Sequence, residues 1–483
     1  MIEMPVPDQS IIARRDAIAE RLRAIVPAEQ VIHASEELKA YECDGLNAYR
    51  QPPMLVVLPD TTAQVSEIVK LCRSEGVPIV PRGSGTSLAG GSLPTADAVV
   101  LGLSRMKDVL ETDYGNRTIR VQTGITNLAV TGAVQPDGFF YAPDPSSQLA
   151  CAIGGNIAMN SGGAHCLKYG VTTNNLLGVT MVMADGEVLE FGGAHLDAGG
   201  YDFLSLICGS EGQLGICTEA TLKILPAAEG ARPMLFGFDT NEVAGEAVAA
   251  IIRAGLSPVA LEFMDKPAIT VSENFAKAGY PLDVEALLIV EVEGSEAEID
   301  EQLTRIEAVV APFSPSTVKR SSNDIESAKI WAGRKAAFGA IGQLADYICL
   351  DGCVPLSQLP DVLKQTAELA AKYDLKVANV FHAGDGNLHP LIMYEANDPD
   401  SSRKAEELGA DLLRLCVEKD GCLTGEHGVG IEKRELMLTQ FNERELRQQM
   451  AIKDVFDPSW MLNPAKVFPL SLSEPHVEDR RAA

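Results

Sequence analysis

The chain has 483 residues, 46% hydrophobic and 22% charged, enough for two or three domains with more than one sizeable core. A net charge of −27 excludes binding nucleic acid or an anionic membrane surface by bulk electrostatics, but not a locally basic pocket for a small anion. The ten cysteines follow no CxxC spacing, so reduced thiols in a cytoplasmic protein are expected and iron–sulfur ligation is not. No basic n-region leads into an apolar core, and no apolar run reaches the ~20 residues of a membrane span. Membrane association is therefore expected only through partners.

Ile11 to Ile25 has helical spacing. Met54 to Leu58 reads as a short strand, and Thr61 with Gln64 forms a capping-box pattern. Val65, Ile68, Val69 and Cys72 make one helical face, Gly76 is the expected C-cap, and Val77 to Val80 is the next strand. This βαβ unit runs into Pro81-Arg82-Gly83-Ser84-Gly85-Thr86-Ser87-Leu88-Ala89-Gly90-Gly91, whose backbone N–H groups could surround a phosphate. No Gly-Lys-Ser/Thr follows, so it is not a Walker loop. Leu88 stands where the Rossmann fingerprint needs its third glycine, and a strand-like run, Ala98 to Leu101, replaces the helix. A purely structural turn is the alternative.

Two further glycine-rich stretches follow, one around Ser146-Ser147 and Gly154 to Gly163, the other from Cys208 to Ile216. Between them Val179 to Met183, Asp185-Gly186 and Val188 to Phe191 read as a hairpin. Three such loops on short strands suit a long cofactor laid against backbone better than a single phosphate.

Leu225-Pro226 to Pro233 reads as a domain boundary, after which strands and helices alternate as in a ferredoxin-like α+β domain. Arg334 falls in a helical stretch and is a candidate fork for a substrate carboxylate, with a solvated helix arginine as the alternative. Val377 to Phe381 and Leu391 to Tyr394 read as strands joined by an Asp385-Gly386 two-residue turn. That turn would set His382 opposite His389 on one sheet face, with Cβ atoms about 5 Å apart, so that both imidazoles reach one ion. Two histidines and a carboxylate suit zinc, manganese or iron, and Glu426 of Gly425-Glu426-His427-Gly428 is the expected third ligand. For His-x6-His alone, a pair of solvated or hydrogen-bonded histidines at a hairpin end is the competing explanation; the second Glu-His, set between glycines, favours the metal. His427 is the candidate proton acceptor. It can share a site with Glu426 only if Gly425 and Gly428 bend the chain.

Taken together these motifs resemble, from about Tyr41 to Phe468, the FAD-linked oxidases of the vanillyl-alcohol-oxidase superfamily. Within it they are most similar to catalytic subunits of the bacterial glycolate oxidase type, with D-lactate and D-2-hydroxyglutarate dehydrogenases as near relatives. The resemblance implies an α+β fold: an N-terminal helical segment (1–50) completing an FAD-binding domain (51–228), then a substrate and metal domain (229–470) and a frayed tail (471–483). It implies that Pro81, Arg82, Gly83, Ser84, Gly85, Thr86, Ser87, Gly90 and Gly91 cradle the FAD pyrophosphate. Ser146, Ser147, Gly154, Gly155, Asn156, Ser161 and Gly162 would line the flavin and ribityl chain. Glu211, Gly212 and Ile216 would lie along the cofactor, with Asn463 closing over it. FAD would be non-covalent, since no histidine or tyrosine occurs in Pro81 to Gly91. The implied activity is oxidation of a small 2-hydroxy acid such as glycolate or D-lactate with a divalent metal, zinc or manganese, held by His382, His389 and Glu426. Electrons would pass to an external acceptor, a quinone or an iron–sulfur partner subunit. The alternatives are a D-2-hydroxyglutarate dehydrogenase and a non-catalytic flavin-holding electron relay.

Overall fold

A computed structural model describes residues 3–195 and 199–482. The chain forms two compact units. The first gathers the chain up to Gly162, Val171–Pro226 and everything from Glu426 onward; the second takes Gly163–Gly170 and Ala227–Gly425.

In the first unit the helix Thr62–Glu75 is capped by Thr61, whose side chain accepts from Gln64 N, and ends at left-handed Gly76 (φ 66°). Its Val65, Ile68, Val69 and Cys72 face is fully buried, at about 1.5–3 kcal/mol for each large aliphatic side chain. The strands flanking that helix, Leu55–Val57 and Ile79–Arg82, are not neighbours, because Val99–Gly102 lies between them and parallel to both. A separate five-stranded antiparallel sheet runs Val109–Asp113, Thr118–Gln122, Ile216–Lys223, Leu176–Val182, Val188–Gly192. Its Asp185-Gly186 hairpin sets Val182 opposite Val188, with Gly186 at φ 85°.

The chain beyond Glu426 packs into this first unit, so the compact units differ from the linear division at 228 and 470. Ile79 N donates to Met461 O (2.8 Å) and Asn463 N donates to Ile79 O (2.7 Å), which pins the returning segment beside the strand that feeds the first glycine-rich loop. The tail expected to fray from Ser471 instead runs as a helix, Leu470–Ala482. Leu472 and Val477 pack against the cluster of Met450, Trp460 and Phe468, and His476 Nε2 bonds Asp454 (2.9 Å), contacts that offset the polarity of the sequence.

The second unit is one seven-stranded sheet, ordered Thr317–Arg320, Gly230–Phe238, Ala286–Gly294, Ala260–Asp265, Lys376–His382, Pro390–Tyr394, Asp346–Cys349, with every pairing antiparallel. Alternation along its strands sorts side chains onto two faces. Phe263 and Phe381 stack at 4.7 Å on one, within the core formed with the helices Asn241–Arg253, Glu296–Val310 and Leu359–Tyr373. Glu262 and His382, each adjacent in sequence to one of those rings, project from the other. That face receives Arg334 from the helix Asp324–Gly342.

Candidate active site

The histidine hairpin forms, but in a different register. Asn379 pairs with Pro390 and His382 bridges to Asn387, so His382 does not face His389. The turn is a 3-10 segment, Ala383–Asp385, closed by left-handed Gly386 (φ 73°), rather than a two-residue loop. A Cβ at Gly386 would sit 2.1 Å from Val354 O, so close backbone approach as well as φ fixes glycine there. The pairing is displaced by an even number of residues, so parity is kept and both imidazoles still project from one face, now as diagonal neighbours. Their ring centroids are 5.2 Å apart and perpendicular.

Each ring is held through Nδ1. His382 Nδ1 lies 2.7 Å from Glu262 Oε1, and His389 Nδ1 lies 3.2 Å from Leu350 O. Both partners accept only, so both Nδ1 atoms donate, and in the neutral ring the lone pair then falls on Nε2, the tautomer a metal requires. Glu262, in the strand Ala260–Asp265 and directly opposite His382, has no exposed surface. Its Oε2 accepts from Arg334 Nε (2.8 Å) and Nη2 (2.6 Å). Burial drives its carboxyl pKa up, but the electrostatic attraction of His382 and Arg334 and their hydrogen bonds outweigh burial, and the net shift is downward. Arg334 is thus a buried, paired arginine with its Nε–Nη2 edge committed to Glu262, and not a solvated one.

A second carboxylate, buried Asp351, joins this hairpin to the segment before Glu426. Its Oδ1 lies 3.8 Å from His389 Nδ1, and its Oδ2 accepts from Gly425 N (2.9 Å) and from Thr424 Oγ1. Cys353, two residues on, bridges to Asn387 on one side and Cys422 on the other. Gly425 is needed for space and not for φ, because a Cβ there would meet Cys353 Sγ at 2.5 Å and Asn387 Cγ at 2.7 Å. Cys349 and Leu391 form a buried cross-strand pair on the strands flanking the histidines.

In the first unit the three glycine-rich loops meet. A Cβ at Gly83 would approach Gly155 N at 3.4 Å, and one at Gly212 (φ 71°) would strike Pro81 Cγ at 2.7 Å. Gly85 and Gly90 take positive φ, and Ser87 Oγ accepts from Ala89 N and Gly91 N, so the loop's turns are built from its own hydroxyls. Arg82 is buried, donates to Cys43 O (2.8 Å) and serves this loop's scaffold. Gly154, Gly155 and Asn156 open a short helix, Ile153–Met159, and buried Asn156 donates to Ser161 Oγ. Ser147 O accepts from Cys151 N, while Ser146 is exposed in the same turn. Asn463 Nδ2 donates to Gly91 O (2.9 Å) and Glu211 O (2.6 Å), drawing the first and third loops together. Its Oδ1 is buried without a hydrogen-bond partner among the described residues. Packed glycines and an orphaned buried acceptor fit a bound polar cofactor.

Two expected cofactor contacts have other partners. Ile216 is a core residue of the first unit. The Glu211 carboxylate accepts from Val429 N (2.7 Å) and Gly430 N (2.8 Å), holding the turn just after His427. Gly428 in that turn is left-handed (φ 83°), which supplies the bend expected of it. Glu426 Oε2 accepts from Gly162 N (2.8 Å), tying this side chain to the second glycine-rich loop.

Fold and loops together define an FAD-linked oxidase. Residues 53–192 match the FAD binding domain, and residues 228–467 match the C-terminal domain of FAD-linked oxidases. The chain belongs to the FAD-linked oxidases and is an oxidoreductase. It is 48% identical over 456 residues to the glycolate oxidase subunit GlcD of Escherichia coli (strain K12), covering 94% of this chain and 91% of that one. It is also 31% identical over 463 residues to the D-lactate dehydrogenase of Anaerostipes hadrus, covering 93% and 96%. Its fold is of vanillyl-alcohol-oxidase type. The 4-ethylphenol oxidase from Gulosibacter chungangensis superposes with a TM-score of 0.81 at 17% identity, over 96% of this chain and 99% of that one.

Proposed function

We propose that this chain oxidises a small 2-hydroxy acid, glycolate or D-lactate, to the 2-oxo acid. The observation that carries the proposal is the pair of same-face imidazoles, 5.2 Å apart, each fixed in the metal-binding tautomer. An electron relay has no use for such a pair. The names of the relatives support the same substrate class.

Bound FAD would supply a two-electron acceptor, and a bound divalent ion, zinc or manganese, would acidify the substrate hydroxyl. The residues for the ion are His382, His389 and Glu426. Asp351 fixes Gly425, and Glu426 follows one peptide bond later, its Cα about 3.8 Å from that of Gly425. His427 would take the hydroxyl proton, with Glu211 holding the turn behind it. Arg334 would pair with the substrate carboxylate through its outer guanidinium edge, oriented by Glu262.

Cys349 Sγ lies within 4.8 Å of a His389 ring nitrogen and pairs across the strands with Leu391, so this buried, apolar pair favours a short substrate by offering no partner to the second carboxylate of D-2-hydroxyglutarate. Electrons would leave through a quinone or an iron–sulfur partner subunit, as befits the relative named a subunit. No helix among the described residues is long and apolar enough to cross a membrane, so contact with a membrane acceptor would run through partners.

Turnover of glycolate, D-lactate and D-2-hydroxyglutarate with a dye acceptor, before and after chelation, tests this. The expected result is chelation-sensitive oxidation with the higher kcat/KM on one of the two short acids. No oxidation of any 2-hydroxy acid by metal-loaded flavoprotein would return the chain to an electron-relay role.

A further inference from the structure

Eight of the ten cysteines are either buried or have no cysteine bonded to them across a strand; Cys353 and Cys422 are the exception. They face each other across an antiparallel bridge in which Cys353 N donates to Cys422 O and Cys422 N to Cys353 O, both at 3.0 Å. A reciprocally bonded pair of this kind has Cα atoms about 5.5 Å apart, inside the range disulfides span. Directly opposed residues of such a bridge project their side chains from the same side. Both are partly exposed, so a small oxidant can reach them.

We propose that Cys353 and Cys422 form a reversible disulfide that governs the segment leading to Glu426. Both cysteines are partly exposed, and an exposed disulfide is the readily reduced, regulatory kind rather than the structural kind. The oxidant is a hydroperoxide, hydrogen peroxide being the simplest. One thiolate attacks a peroxide oxygen, the O–O bond breaks, and a sulfenic acid and a first water result. The second thiol then attacks the sulfenic sulfur, the S–S bond forms and a second water leaves. The two thiols together lose two electrons and two protons, and the peroxide gains them. Cys422 is the better first nucleophile, since the hydrogen bond from Cys353 pulls its pKa down against the opposing effect of burial.

The bond would be felt next door. Cys353 Sγ fills the space beside Gly425, and Cys422 Sγ donates to Thr424 O (3.3 Å). Drawing the sulfurs together breaks the second contact and repacks the first. Thr424 and Gly425 are the two residues that Asp351 holds, and Glu426 is the next in the chain. The loss of activity on oxidation rests on the function proposed above; the disulfide itself does not.

The test uses the full-length flavoprotein, treated with hydrogen peroxide, alkylated, digested without reductant and mapped by mass spectrometry. The expected result is one cross-linked peptide pair joining Cys353 to Cys422, loss of two of the ten thiols, and return of both with dithiothreitol. 2-Hydroxy-acid oxidation should fall at least several-fold in step with the cross-link and recover on reduction, while C353S and C422S keep their activity under the same treatment. Absence of the cross-link, or irreversible sulfinic acid at either position, overturns the disulfide whether or not the protein oxidises a hydroxy acid. A cross-link that forms while activity is unchanged overturns the regulatory part alone.

Discussion

Replacing Glu262 with glutamine probes the hub that orients both His382 and Arg334. Glu262 is fully buried and Arg334 nearly so, joined by two contacts of 2.6 and 2.8 Å, with the His382 bond of 2.7 Å on the other oxygen. Glutamine keeps the shape but removes the only carboxylate bonded to Arg334 among the described residues. Breaking one side of a buried pair costs about 3–5 kcal/mol, because the remaining charge stays desolvated. The amide can still accept one hydrogen bond, which places E262Q at the lower end. His382 would also lose the charged acceptor that fixes its tautomer, and a loss of this type weakens metal affinity about 10- to 100-fold. Chemical denaturation and metal titration of the flavoprotein measure the two effects, and the double variant E262Q/R334M should recover part of the stability while leaving the metal defect. An E262Q protein as stable as the wild type, with unchanged metal affinity, would refute the hub.

Other substitutions address the first unit. E211A leaves Val429 N and Gly430 N unsatisfied in the interior, at about 1–3 kcal/mol for each amide, and E211Q should cost less because one acceptor survives; denaturant midpoints decide. G430A places a Cβ 2.0 Å from Ala89 O at a positive φ, so it should be the most damaging glycine change in the turn after His427, read as thermal destabilisation against G132A, where nothing lies near. Lys466 is fully buried and, through burial and the neighbouring Arg434, its pKa falls from 10.5 to about 7. The unfolded chain therefore binds more protons between those values, stability should rise with pH from about 7 toward 10.5, and K466M should flatten that rise in denaturation profiles across the window.

Much of this architecture is legible in the sequence, and the failures have specific causes. The helix Thr62–Glu75 is marked at both ends, by Thr61 and by Gly76, and it forms between them. The Asp185-Gly186 and histidine hairpins both announce themselves by turn residues. In the second, however, Asp-Gly is only the end of a longer 3-10 turn, a choice set by the approach of Val354 and not by the dipeptide. The same-face inference survived because alternation depends only on parity. Glu262 had one faint signal, a carboxylate inside the apolar run Ala260 to Met264, but its partners lie far along the chain at Arg334 and His382. Asp351 likewise gained meaning only from Thr424 and Gly425. The return of residues 426–483 to the first unit rests on Ile79, Glu211 and Asn463 meeting across distant segments, which no local pattern encodes.

The proposed chemistry stands on three side chains gripping one divalent ion. Metal analysis of the purified flavoprotein, run beside H382A, H389A and E426Q, tests that directly. One zinc or manganese per flavin is expected in the wild type, with its loss in all three variants and flavin retained. A wild-type protein with full hydroxy-acid oxidation and no divalent ion, or variants that keep the ion, would contradict it.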